Sequence, residues 1–117
     1  MHSEFLTAQL HVYSNPVSSE HEDEFNDWYS EVHIPEVVRH VDGIVAGRRL
    51  VLSSTQVSAS DSLPRHRYLT IYDLVTADAE ATLAALSRAF ADGTLQTTES
   101  IDVSVNPPCM LVFDPLA

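Results

Sequence analysis

Two histidines and two tyrosines have the chemistry and spacing of a proton-transfer site. His33 ends the run Phe25-Asn26-Asp27-Trp28-Tyr29-Ser30-Glu31-Val32-His33, and a neutral imidazole beside aromatic rings accepts a proton near pH 7. A histidine capping a helix C-terminus ahead of Pro35 accounts for the same residue. His11 is a second candidate base, which a hydrogen-bonded histidine at a subunit interface explains equally well. Tyr72 and Tyr68 offer hydroxyls that donate to a carbonyl or an enolate, the charge that cyclisation, isomerisation and dehydration share; buried tyrosines with satisfied hydroxyls are the ordinary alternative. Trp28 and Tyr29 read as core or entrance residues beside such a site.

Other chemistries find little support. His33, Glu36 and His40 stand at i, i+3 and i+7, as metal ligands on one helix face would, but Pro35 is expected to interrupt that helix, so no metal is expected. Cys109 lies beside Pro107-Pro108 with no base nearby in sequence. No glycine-rich phosphate loop, nucleophile elbow or nucleotide fingerprint occurs, so no cofactor is expected.

The elements that must position these groups follow from periodicity. Residues 5 to 13 alternate, with Leu6, Ala8, Leu10 and Val12 on one face and Phe5, Thr7, Gln9, His11 and Tyr13 on the other. Ser19 and Glu22 form a capping-box pattern ahead of a helix through Phe25, Trp28, Tyr29 and Val32. Pro35 is expected to end it and leave 35 to 41 as a separate turn closed by Asp42-Gly43. Residues 44 to 52 read as a second strand on which Arg48 and Arg49 point to opposite faces. Arg48 is expected to reach the helix carboxylates, and Arg49 to face the cavity and bind an anionic substrate.

A polar, Ser-rich connection follows, expected to order over a ligand, and then a third strand at 67 to 75. On it Tyr68, Thr70 and Tyr72 oppose Leu69 and Ile71. Thr76 or Asp78 caps a second helix with the stripe Ala79, Leu83, Leu86 and Phe90, which Asp92-Gly93 stops. Ile101, Val103 and Val105 read as a fourth strand and MLVF at 110 to 113 as a short fifth.

That order predicts an α+β fold, a ferredoxin-like βαββαβ domain spanning 1–117. Its antiparallel sheet would have two helices on one face, burying Leu6, Leu10, Leu69 and Ile71. The other face would present Gln9, His11, Tyr13, Tyr68, Tyr72 and one arginine, and a second copy of the sheet would cover it.

Composition narrows the partners. With 117 residues, 17 acidic against 6 basic side chains and a formal charge of -11, the chain suits one domain and repels nucleic acid and anionic membranes. Eight acids and Arg39 between residues 20 and 42 account for -7 of that charge, as a solvated helix face would. A single cysteine and an N-terminal stretch without a signal-peptide pattern lead to the expectation of a cytoplasmic protein.

The run from Phe25 to Pro35, then Asp42-Gly43, Arg48-Arg49, Arg67-Tyr68-Leu69 and Tyr72-Asp73 resembles the EthD-type branch of the dimeric α/β-barrel superfamily. The resemblance covers roughly residues 20 to 75. It implies a homodimer with a small-molecule cavity in each subunit, often serving polyketide tailoring or aromatic breakdown. Similar proteins include cofactor-free monooxygenases, cyclases, lactone isomerases and dehydratases. The family's helix-end histidine matches His33 and its strand-three tyrosine Tyr72.

The expected function is a cofactor-free cyclase, isomerase or dehydratase acting on an aromatic or polyketide-like substrate. His33, helped by His11, would remove a proton, and Tyr72 and an arginine would stabilise the enolate. Gln9, Tyr13, Trp28, Tyr29, Arg49 and Tyr68 would bind substrate. A cofactor-independent monooxygenase and a non-catalytic small-molecule binding protein are the alternatives.

Overall fold

A computed structural model describes residues 6–58 and 63–116. Strand β1 (Leu6–Ser14) leads through a short 3-10 turn (Ser19–His21) into one helical run made of α1 (Glu22–Asp27), a π segment (Trp28–His33) and α2 (Ile34–His40). Strands β2 (Ile44–Val51) and β3 (Tyr68–Thr76), helix α3 (Ala79–Ala91) and strand β4 (Cys109–Phe113) complete the order. The sheet is antiparallel, ordered β2-β3-β1-β4. The α+β, ferredoxin-like arrangement is therefore the one expected, with both helical units against one face.

Pro35 does not end the helix. The Ile34 N–H donates five residues back, to the Tyr29 carbonyl, so the chain enters Pro35 from a widened turn. That widening removes the demand for an N–H at Pro35 and the clash of its ring with the preceding turn. The expected capping box is also absent: Ser18 stands at the 3-10 N-cap, and Glu22 turns instead to Tyr68 and Arg67. In α3 the cap is Asp78, whose carboxylate accepts the Ala81 N–H at 3.1 Å.

The last strand is not Ile101–Val105. Asp102 accepts the N–H groups of Ser104, Val105 and Asn106 at 3.0, 3.0 and 2.9 Å, which curls that segment into a turn. Only an isolated bridge between Pro16 and Ile101 remains of strand pairing there. Chain direction recovers after Pro107-Pro108, and MLVF becomes part of β4.

The register corrects the assignment of faces. Leu10 lies opposite Tyr72, Val12 opposite Thr70 and Ser14 opposite Tyr68, so the tyrosine face of β3 is the one the helices cover. Leu10, Tyr72 and Leu74 are buried with Val37, Val41, Ile44, Leu86 and Ala89. Leu69 and Ile71, expected beneath the helices, are half-buried on the open face. Burial of Leu6, like the placing of Phe5, lies outside the described residues.

Two glycines set the approach of the layers. Gly47 allows Ile34 and the Tyr72 ring to within 3.0 Å of where a Cβ would stand, which seats α2 on the sheet beside Tyr72. Gly43 has φ +97, and a Cβ there would lie 2.6 Å from Thr82 Oγ1, whose hydroxyl donates to Thr76 Oγ1 at 2.8 Å. Gly43→Ala combines a left-handed backbone with a clash against a buried hydrogen bond. It is expected to cost ~2 kcal/mol or more in urea unfolding, and an unchanged midpoint would refute that account.

Candidate functional site

The π segment arranges the aromatic groups. Residues five apart face away from each other on an α-helix of 3.6 residues per turn, but the widened turn places Trp28 and His33 in a stack, with ring centroids 4.3 Å apart and 14° between planes. Tyr29 meets His33 edge-on at 5.4 Å, and Phe90 of α3 closes from the other helix at 5.5 Å. His33 is only 5 % exposed. This burial lowers its pKa to about 4, with Glu36 pulling the other way. The imidazole is accordingly neutral at pH 7.

His33 borders a cavity of about 220 Å³ between the helices and the sheet. Leu10, Val12 and Tyr72 form part of its floor, Trp28, Tyr29 and Val37 one wall, and Leu86 and Phe90 another. The segment between α3 and β4 contributes Thr97, Thr98, Ile101, Val103 and Pro108, and β4 contributes Met110. The segment is tied to the end of β1 by Val17 N–H to the Ser100 carbonyl at 2.7 Å and Asp102 N–H to the Asn15 carbonyl at 2.9 Å.

Among the described residues, His33 Nδ1, the Tyr72 hydroxyl and Trp28 Nε1 are buried without a protein hydrogen-bond partner. Burial pushes the Tyr72 phenol well above its ordinary pKa, so it remains a donor. Tyr29 is raised for the same reason, and its hydroxyl accepts from Ser14 at 3.3 Å.

The expected site residues thus divide. His33, Tyr72, Trp28 and Tyr29 converge on the cavity. Gln9, His11 and Tyr13 lie on the open sheet face, where His11 bonds Gln9 at 3.0 Å and packs on Phe113 at 4.5 Å. Within the chain the sheet stands between His11 and His33, which corrects their expected joint placement.

Tyr68 faces the helices but not the cavity, because its hydroxyl is held by Glu22 and accepts from Asn26 at 3.3 Å. Arg49, expected on the open face as a cavity residue, lies instead on the helix side and is not part of the cavity lining. Its guanidinium lies 4.4, 5.0 and 5.1 Å from the rings of Tyr29, Tyr68 and Phe25 and donates to Asn26 Oδ1 at 2.7 Å. Arg48, expected to reach the helix carboxylates, pairs across the open face with Asp73 at 3.1 Å.

Sequence reasoning missed the segment from Thr97 to Pro108 as a cavity wall. An Asp followed by Ser two residues on, ahead of two prolines, was the available turn signal. The Ser-rich connection expected to cover a ligand falls partly on residues 59–62, outside the described residues. Although Pro35 leaves the helix continuous, no group of three metal-ligating side chains occurs among the described residues.

The architecture has counterparts among solved structures. A crystal structure of an EthD-like protein from Ralstonia eutropha JMP134 superposes with a TM-score of 0.57 at 15 % identity, covering 93 % of this chain and 91 % of that one. The chain has the EthD-like fold. An ethyl tert-butyl ether D (EthD) family protein from Bacillus halodurans C-125 gives a TM-score of 0.49 at 14 % identity over 95 % of this chain and 99 % of that one. No family model and no curated protein matches the sequence. The EthD-like fold agrees with the resemblance read from residues 20 to 75, and it hosts chemistry that the site itself must decide. No helix among the described residues is long and apolar enough to cross a membrane.

Proposed function

We propose that the chain is a cofactor-free enzyme that rearranges an aromatic or polyketide-like small molecule, with His33 as the base and Tyr72 as the oxyanion donor. The observation that carries this reading is a neutral, unpartnered imidazole and an unpartnered phenol bordering one apolar cavity. The His33 imidazole takes a proton from carbon next to a carbonyl. The electron pair moves onto the carbonyl oxygen, which accepts from Tyr72, and the imidazolium returns the proton to another carbon or to a departing oxygen. The low basicity of His33 keeps it unprotonated before the reaction, and the adjacent enolate charge favours imidazolium during it.

The test uses 2-tetralone in deuterium oxide. Protein-dependent exchange of its acidic C–H is expected, reduced ~10²-fold in Tyr72→Phe. Ligand binding without exchange would instead favour a non-catalytic binding protein, and oxygen consumption would favour a cofactor-independent monooxygenase.

The open sheet face supports a homodimer as part of the same proposal. It carries half-buried Leu69 and Ile71 and exposed Leu50, Leu111 and Phe113, and a second sheet would remove these groups from water. Sedimentation at micromolar concentration should give twice the mass of the chain. A monomer would contradict this part of the proposal.

A further inference from the structure

Among the described residues the cavity's lining contains no carboxylate, lysine or arginine: its titratable members are Tyr29, His33 and Tyr72. Arg49 is not among the lining residues: its guanidinium stacks on the Tyr29, Tyr68 and Phe25 rings and donates to Asn26, while its Nε and Nη2 are buried without a partner. A carboxylate brought into such a space would exchange its hydration for apolar walls without a counter-ion, which is strongly unfavourable.

The cavity is not indifferent to polarity, however. His33 is 5 % and Tyr72 2 % exposed, and each leaves a buried polar atom unpaired, a cost of about 1–3 kcal/mol that a ligand group meeting those atoms after a small side-chain shift relieves. At pH 7 the neutral imidazole accepts or donates one hydrogen bond at Nδ1, according to its tautomer, and the phenol donates one. The volume of about 220 Å³ lies below the ~300–1,000 Å³ of pockets for drug-sized ligands. It suits one or two rings.

Resting on the proposed function, we infer that this site selects a neutral compound of one or two rings bearing a hydroxyl or carbonyl oxygen, and rejects carboxylates of the same size.

Equilibrium dialysis of the full chain at pH 7 against 2-naphthol, naphthalene and 2-naphthoate tests this directly. The expected result is 2-naphthol bound ~10-fold or more tighter than either of the others. In His33→Leu, which removes the ring nitrogens at similar volume, naphthalene binding should persist while the preference for 2-naphthol falls to within ~3-fold. Should that variant not fold, the three-ligand comparison on the unsubstituted chain decides alone. Equal or tighter binding of 2-naphthoate, or binding of none of the three, overturns the inference. The 2-tetralone exchange keeps the two ideas separate: a naphthol preference without exchange removes the proposed reaction and leaves the selectivity standing, whereas exchange without that preference does the opposite.

Discussion

Between pH 7 and pH 5 the chain is expected to lose ~2 kcal/mol of stability that a His33→Gln variant does not lose. The cause is the burial that holds His33 at about 4 in the folded state against 6.5 for the ordinary imidazole. Over that interval the unfolded chain binds a proton that the folded chain refuses, so stability from this residue is complete above pH 6.5. It declines as the pH falls and is exhausted near pH 4. Glu22, Glu36, Asp92 and Asp102 also have lowered pKa values, through hydrogen bonds from Tyr68, Gln96, Thr94 and the turn at 104–106 respectively. Their stabilisation is present above the usual carboxylate pKa and is lost only at more acid pH, so pH 5 isolates the histidine. Urea unfolding of both proteins at the two pH values provides the comparison. Parallel losses would contradict the buried, neutral imidazole.

The fold was legible wherever a local pattern had one structural answer. Alternation in β1 and β3, the Asp78 cap and the stop at Gly93, with φ +81, each follow from short-range stereochemistry. Parity alone, however, separates two faces without saying which is covered. On β3 the polar look of Tyr68, Thr70 and Tyr72 suggested the open side, but their rings and methyls are buried and their register with Leu10 and Val12 decides the matter. Pro35 was misleading for another reason. Its effect on a helix depends on the turn before it, and the π segment that accommodates it also creates the Trp28–His33 stack.

The candidate site was half legible. His33, Trp28 and Tyr29 are close in sequence, and Tyr72 follows once β3 is oriented. The Thr97–Pro108 wall depends on Asp102 curling the chain and on backbone bonds to Asn15 and Val17, more than eighty residues away in sequence. No periodicity reports such a closure.

The central claim is that His33 moves the proton. His33→Gln retains size and polarity but removes the basic nitrogen, and is expected to lower turnover by ~10²- to 10⁴-fold. At pH 7 its melting temperature should change little, because the buried imidazole is neutral there and makes no protein hydrogen bond at Nδ1 among the described residues. His11→Gln alters the opposite face of the sheet and should leave the rate within a few-fold. The decisive measurement is therefore the rate of 2-tetralone exchange by His33→Gln and His11→Gln beside the unsubstituted chain, with melting temperatures recorded for all three. Loss of exchange in His33→Gln alone, with its melting temperature retained, is the result this account predicts; loss in His11→Gln alone, or normal exchange in both variants, would contradict it.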